Sequence, residues 1–146
     1  MSTRFLHHFF EPRTVAVFGA SEKPASLGGL VLSNLQEGGF RGKIWAVNLK
    51  GYDTVFGVDC VRTVNELPEI PDLAVICSPI DGVPSLIKKL GQFGVKAALV
   101  LSGGAYLDRE TGNKGSIRQR MLQSAIESGI RVLGPECMGL IVPGKK

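Results

Sequence analysis

The stretch Gly19-Ala-Ser-Glu-Lys-Pro-Ala-Ser-Leu-Gly28 puts small residues, two hydroxyls and a cation between a β-branched run and a helical pattern. A loop of that kind, leaving a strand and entering a helix, presents backbone N–H groups to an anion. Gly19 can take a tight turn, Ser21 and Ser26 can donate hydroxyls, and Lys23 can offer its charge, so the chemistry is phosphate binding. The dinucleotide fingerprint GxGxxG is absent, because Ser21 and Pro24 stand where its second and third glycines would be. The next strand ends Val47-Asn48-Leu49-Lys50. NAD enzymes place an acidic residue there for the ribose 2′-hydroxyl, whereas Asn48 and Lys50 suit a phosphorylated ribose.

The remaining reactive side chains make no catalytic set. His7 and His8 stand beside Phe9 and Phe10 ahead of the first strand, without a carboxylate partner in view, and read as an N-terminal arm packed on a sheet edge. Cys77 ends a strand facing the proposed site, but its apolar neighbours favour inert burial. Cys60, Cys77 and Cys137 form no CxxC pair and leave an odd thiol, which fits a reducing compartment. Asp53 and Asp59 lack an acid/base partner, Asp108, Arg109 and Glu110 read as a solvated loop tip, and no metal cluster is evident.

These loops must be positioned by alternating strands and helices. Thr14–Phe18, Lys43–Val47, Asp72–Cys77, Lys96–Leu101 and Arg131–Leu133 read as five strands. Leu27, Leu30, Val31 and Leu35 define one helix face, stopped at Gly38-Gly39. Val83, Leu86, Ile87 and Leu90 define a second, with Asp81 as N-cap and Gly94 as stop. Ile117, Met121, Leu122, Ala125 and Ile126 form the inward face of a third, stopped by Gly129. Between Asn48 and Pro71 only a short apolar stretch near Val55–Val61 and a helical turn near Val64–Leu67 stand out. The sequence thus predicts an α/β domain over residues 1–142: a Rossmann-like, doubly wound, mainly parallel sheet of five to six strands with helices on both faces. Residues 143–146 would begin a linker or end the domain.

Composition bounds the rest. The chain has 146 residues, 44% hydrophobic and 21% charged, with a mean hydropathy of +0.16, which fits one globular domain. Apolar runs are about five residues long, far short of the roughly 20 that span a bilayer. The N-terminus lacks an export signal, so a cytoplasmic location is expected. Seventeen basic against 13 acidic residues give a net charge of +4. That excess suits a polyanionic small ligand and is too scattered for nucleic acid.

Five segments together resemble the coenzyme A-binding domain of nucleoside-diphosphate-forming (ADP-forming) acyl-CoA synthetases, related to the α subunit of succinyl-CoA synthetase. They are Pro12–Ser21, Gly39–Asn48, Asp72–Pro79, Leu101–Gly104 and Val132–Gly139. The resemblance implies that coenzyme A or acyl-CoA is the ligand. It implies that Gly19, Ala20 and Ser21 cradle phosphate, that Asn48 and Lys50 meet the adenosine end, and that Ser78 and Pro79 wall the nucleotide or pantetheine arm. It further implies that Ser102, Gly103 and Gly104 line the mouth where the thiol emerges, and that the Gly134–Gly139 turn faces a partner domain. In that family an Asn usually stands where this chain has Glu136. Catalysis would then belong to phosphohistidine and nucleotide-grasp domains outside this chain, leaving the domain non-catalytic alone. The same domain opens bacterial protein lysine acetyltransferases as an acyl-CoA-sensing part. A stand-alone CoA-binding regulator and, less favoured, an NAD(P)-binding oxidoreductase domain are the other readings.

Overall fold

A computed structural model describes residues 3–105 and 115–143. The loop tip Asp108–Glu110 and the terminal residues 144–146 lie outside the described residues. The chain runs α1 (His7–Phe10), β1 (Thr14–Phe18), α2 (Leu27–Glu37), β2 (Lys43–Val47), β3 (Thr54–Val55), β4 (Val58–Val61), β5 (Leu73–Ile76), α3 (Val83–Phe93), β6 (Ala97–Val100), α4 (Ile117–Ser128) and β7 (Arg131–Leu133). The strands form one sheet in the order β3-β4-β2-β1-β5-β6-β7, parallel throughout except for the β3/β4 pair. The doubly wound fold is as the sequence predicts. Seven strands replace the expected five to six.

The additional strands form a hairpin whose two turn residues, Phe56 and Gly57, both have positive φ, +49° and +75°. Two such residues make the mirror-image turn whose twist matches the flanking strands. β4 then pairs in parallel with β2, Ala46 beside Cys60 and Val47 beside Val61. Its end therefore joins the carboxyl edge of the sheet.

Both sheet faces are covered, so the central strands are apolar on both sides. Ala16, Phe18, Ala74, Ile76, Ala98 and Val100 face the side of α3 and α4; Val15, Val17, Leu73, Val75, Ala97 and Leu99 face that of α2 and Phe9 of α1. Two helix faces differ from expectation. In α2 the fully buried side chain is Leu32, with Gly28 and Gly29, while Leu27 and Leu30 are exposed. The glycines let the start of the helix approach the β1 loop, which rotates the predicted leucine stripe outward. In α4, Ile117 and Met121 are buried, whereas Leu122 and Ile126 are 61% and 67% exposed. α4 ends the layer beside the edge strand β7, so only one side of it has a neighbour.

Asp81 does not cap α3. Ile80–Gly82 form a 3-10 turn that runs into the helix, Gly82 is the N-cap residue without a side-chain bond, and Pro84 in the first turn has no N–H to be capped. Gly94 and Gly129 do close their helices in the left-handed conformation, at φ +110° and +67°.

Candidate functional site

Strand order reverses direction at β1 and β5: the chain leaves β1 toward β2 on one side and leaves β5 toward β6 on the other. A crevice at the carboxyl edge follows, the usual ligand position in open α/β sheets. The two loops that flank it touch. Gly19 sits at φ +82°, and a Cβ there would lie 2.7 Å from the Ser78 nitrogen and 2.8 Å from the Cys77 carbonyl carbon. A Cβ on Gly28 would collide with the Gly19 carbonyl oxygen. The two glycines thus seat the β1 loop between the start of α2 and the end of β5.

The loop itself is tied down by its own polar groups. Ser26 is the N-cap of α2: its Oγ accepts from the Gly29 N–H at 3.1 Å and donates to the Lys23 carbonyl at 2.7 Å. That hydroxyl proton is committed inside the loop, so the expected donation from Ser26 to a phosphate is replaced by a structural role. Ser21 Oγ accepts from the Lys23 N–H at 3.2 Å, which leaves its own proton to aim outward. The first-turn N–H groups of α2 carry the positive end of the helix dipole. Lys23 is exposed beside them and has no carboxylate within 4 Å among the described residues. Ala20 is fully buried.

Asn48 is the clasp between the first two loops. Its Nδ2 donates to the Ala20 carbonyl at 2.5 Å and its Oδ1 accepts from the Lys50 N–H at 2.9 Å. The side chain expected to meet adenosine thus also positions Ala20 and Lys50. Lys50 is exposed at this edge, and a second cation joins it that sequence reasoning missed. Arg62 follows β4, and its guanidinium lies over Gly51, whose added Cβ would fall 2.5 Å from Arg62 Nε. Lys50 and Arg62 are 12 residues apart in sequence, and only the parallel pairing of β4 with β2 brings them together. An undetected strand left no signal for it.

On the other side of the crevice Ser102 is 5% exposed, and its hydroxyl reaches the carbonyls of Ser78 at 2.5 Å and Ile76 at 3.3 Å. It fastens the β5 and β6 loops from beneath and does not line an opening. Pro79 and Gly103 are exposed at the rim, with Ser78 half-buried behind them. Gly104 donates its N–H to Glu136 Oε1 at 3.0 Å. Cys77 is turned into the apolar cluster under α2, not toward the crevice, and burial, with a smaller contribution from Cys137, pushes its thiol up to about 12. Burial also raises the Cys60 thiol, against a backbone hydrogen bond from Asn48. At the opposite edge His8 does have a carboxylate neighbour, with Nδ1 3.4 Å from Asp72 Oδ1. Asp72 also accepts from the N–H groups of Arg13 and Thr14, so the pair anchors α1 to the amino edge, away from the crevice.

Residues 13–143 match the CoA binding domain family. The chain belongs to that family. Among curated relatives, this CoA-binding domain is 37% identical over 139 residues to the acetate–CoA ligase [ADP-forming] I subunit alpha of Pyrococcus furiosus, covering 93% of the chain and 30% of the relative. It is 34% identical to the acetate–CoA ligase [ADP-forming] of Methanocaldococcus jannaschii, covering 93% and 18%. The dinucleotide-forming acetyl-coenzyme A synthetase 1 of Ca. Korarchaeum cryptofilum, solved with phosphate and ADP, superposes with a TM-score of 0.81 at 36% identity, over 92% of this chain and 28% of that one. The chain thus spans under a third of the length of these relatives.

The crevice fits coenzyme A by the chemistry of its donors. Lys50 and the Arg62 guanidinium, with no carboxylate within 4 Å among the described residues, stand at the β2/β4 end, the Ser21 hydroxyl lies at the helix start in the middle, and the exposed rim of Pro79 and Gly103 lies beyond. Among the described residues no helix is long and apolar enough to cross a membrane.

Proposed function

We propose that coenzyme A lies across the carboxyl edge with its 3′-phosphate against Lys50 and Arg62 and its diphosphate on Gly19–Ser21 and Lys23 at the start of α2. The pantetheine arm then passes Ser78 and Pro79 toward Gly103 and Gly104. The observation that carries this reading is the Lys50/Arg62 pair at the strand ends where an NAD site needs an acid. Asn48, Ser26 and Ser102 position these groups from behind. From β2 across β1 and β5 to β6 is three strand spacings, about 14 Å. The extended arm is the part of the ligand suited to cover it. When bound, coenzyme A supplies a thiol for thioester formation; this chain's residues hold and orient its phosphates.

The parent protein in this reading is an ADP-forming acyl-CoA ligase whose phosphohistidine and nucleotide-grasp domains perform the chemistry, in keeping with the names of the relatives. The domain binds and does not catalyse. Isothermal titration with coenzyme A and with its 3′-dephospho form tests the site. Loss of the 3′-phosphate is expected to weaken binding about tenfold or more, since a phosphate facing two cations makes strong charge-assisted contacts. Lys50→Glu combined with Arg62→Glu removes that difference while the fold persists. Equal affinity for both ligands in the unaltered chain overturns the placement.

A further inference from the structure

Glu136 stands at φ +61°, a backbone conformation in which Asn is enriched and Glu is rare. The residue is nevertheless held at three points, two through its side chain and one through its backbone. Oε1 accepts the Gly104 N–H at 3.0 Å, Oε2 lies 3.6 Å from Arg118 Nη2 in the first turn of α4, and its own N–H donates to the Ser102 carbonyl at 3.2 Å. Ser102 in turn is fastened to Ser78. A carboxylate is thereby fixed against the Gly103–Gly104 rim, with a side chain 27% exposed. Arg118 compensates it weakly, being 59% exposed and beyond hydrogen-bond distance.

The direction of the ligand decides what this charge meets. Lys50 and Arg62 draw the 3′-phosphate to the β2/β4 end, so the thiol and any acyl group on it point toward the β6 and β7 loops, where Glu136 waits. We propose that Glu136 is a specificity residue, making this domain favour coenzyme A that carries an uncharged acyl group over coenzyme A whose acyl group ends in a carboxylate. The inference rests on the ligand orientation proposed above. A carboxylate brought within several ångströms of another at a partly desolvated rim is repelled strongly enough to change a binding constant severalfold.

The test compares acetyl-CoA with succinyl-CoA by isothermal titration of the unaltered chain, Glu136→Gln and Glu136→Asn, each at low salt and at 1 M salt. Gln keeps the acceptor for Gly104 and removes the charge; Asn suits the left-handed backbone and also lacks the charge. Equal melting temperatures, within a few degrees, establish that the variants fold. The unaltered chain is expected to prefer acetyl-CoA by about fivefold or more at low salt, and high salt should shrink that preference by screening. Both variants should bring the ratio within about twofold and make it independent of salt. An unchanged ratio in Glu136→Gln, or a preference insensitive to salt, overturns the proposal while leaving the CoA site standing. Absence of CoA binding by the unaltered chain sinks both readings.

Discussion

Replacing Gly19 by alanine tests the junction on which the site is built. The residue sits at φ +82°, so any Cβ carries a left-handed penalty of about 1–2 kcal/mol. The new methyl would also lie 2.7 Å from the Ser78 nitrogen and 2.8 Å from the Cys77 carbonyl carbon, backbone atoms directly after the central strand β5 that have little room to give. Overpacking of that kind costs about 1–3 kcal/mol more, for a total of about 2–5 kcal/mol. With an unfolding entropy of about 2.1 cal/mol/K per residue over 146 residues, 1 kcal/mol corresponds to about 3 °C, so the melting temperature should fall by about 7–16 °C. Gly57→Ala is the matched control. Gly57 has a similar φ of +75° with nothing within 4 Å of the added Cβ, so only the backbone penalty applies, about 3–7 °C. Urea unfolding of both variants, followed by circular dichroism, separates the two contributions. If Gly19→Ala costs no more than Gly57→Ala, the close contact between the β1 and β5 loops is not what requires glycine.

Asn48→Ala removes the bonds to Ala20 and Lys50 and should cost about 1–3 kcal/mol in urea unfolding, because the Ala20 carbonyl is left without its donor. CoA affinity should fall as well, measurably in the same titration. With its thiol raised to about 12, Cys77 should remain unmodified by iodoacetamide at pH 8 in the folded chain and react only after unfolding, as read by mass spectrometry. A raised thiol pKa also means that this group's contribution to stability is full below about pH 8.5 and is lost as pH rises above it. Hydrogen bonds from Lys43 and then Trp45 hold the Glu69 carboxyl below its usual value. Its ionised form therefore stabilises the fold above about pH 4.3 and loses that effect as pH falls through the lowered value. The fluorescence of the single Trp45 should report this transition, and Glu69→Gln should abolish it.

The parallel strands were legible because each is a short apolar run bounded by a turn: Thr14–Phe18, Lys43–Val47 and the edge strand Arg131–Leu133 agree with their observed bounds. The hairpin of β3 and β4 was not, since β3 has two residues and its turn opens with Phe56, a poor signal for positive φ. Losing β4 also concealed Arg62. Periodicity misjudged α2 and α4 because it counts apolar residues without knowing which side has a neighbour. Leu27 and Leu30 face outward since glycines, not leucines, make the close approach. In the candidate site, residue type pointed to the loops at the carboxyl edge but not to the hydrogen bonds their side chains make with the backbone. Ser26, Asn48 and Ser102 spend their polar atoms on backbone partners two or more residues away, and only the folded geometry distinguishes such a clasp from a ligand contact.

Amide chemical-shift mapping is the direct test of coenzyme A lying on the carboxyl edge. Adding coenzyme A to the nitrogen-15-labelled chain should move the signals of Gly19–Gly29, Lys50, Gly51, Arg62 and Ser78, leaving those of His7–Phe10 and of Asp72 at the amino edge in place. Shifts confined to the amino edge, or to the outer face of α4, would contradict it.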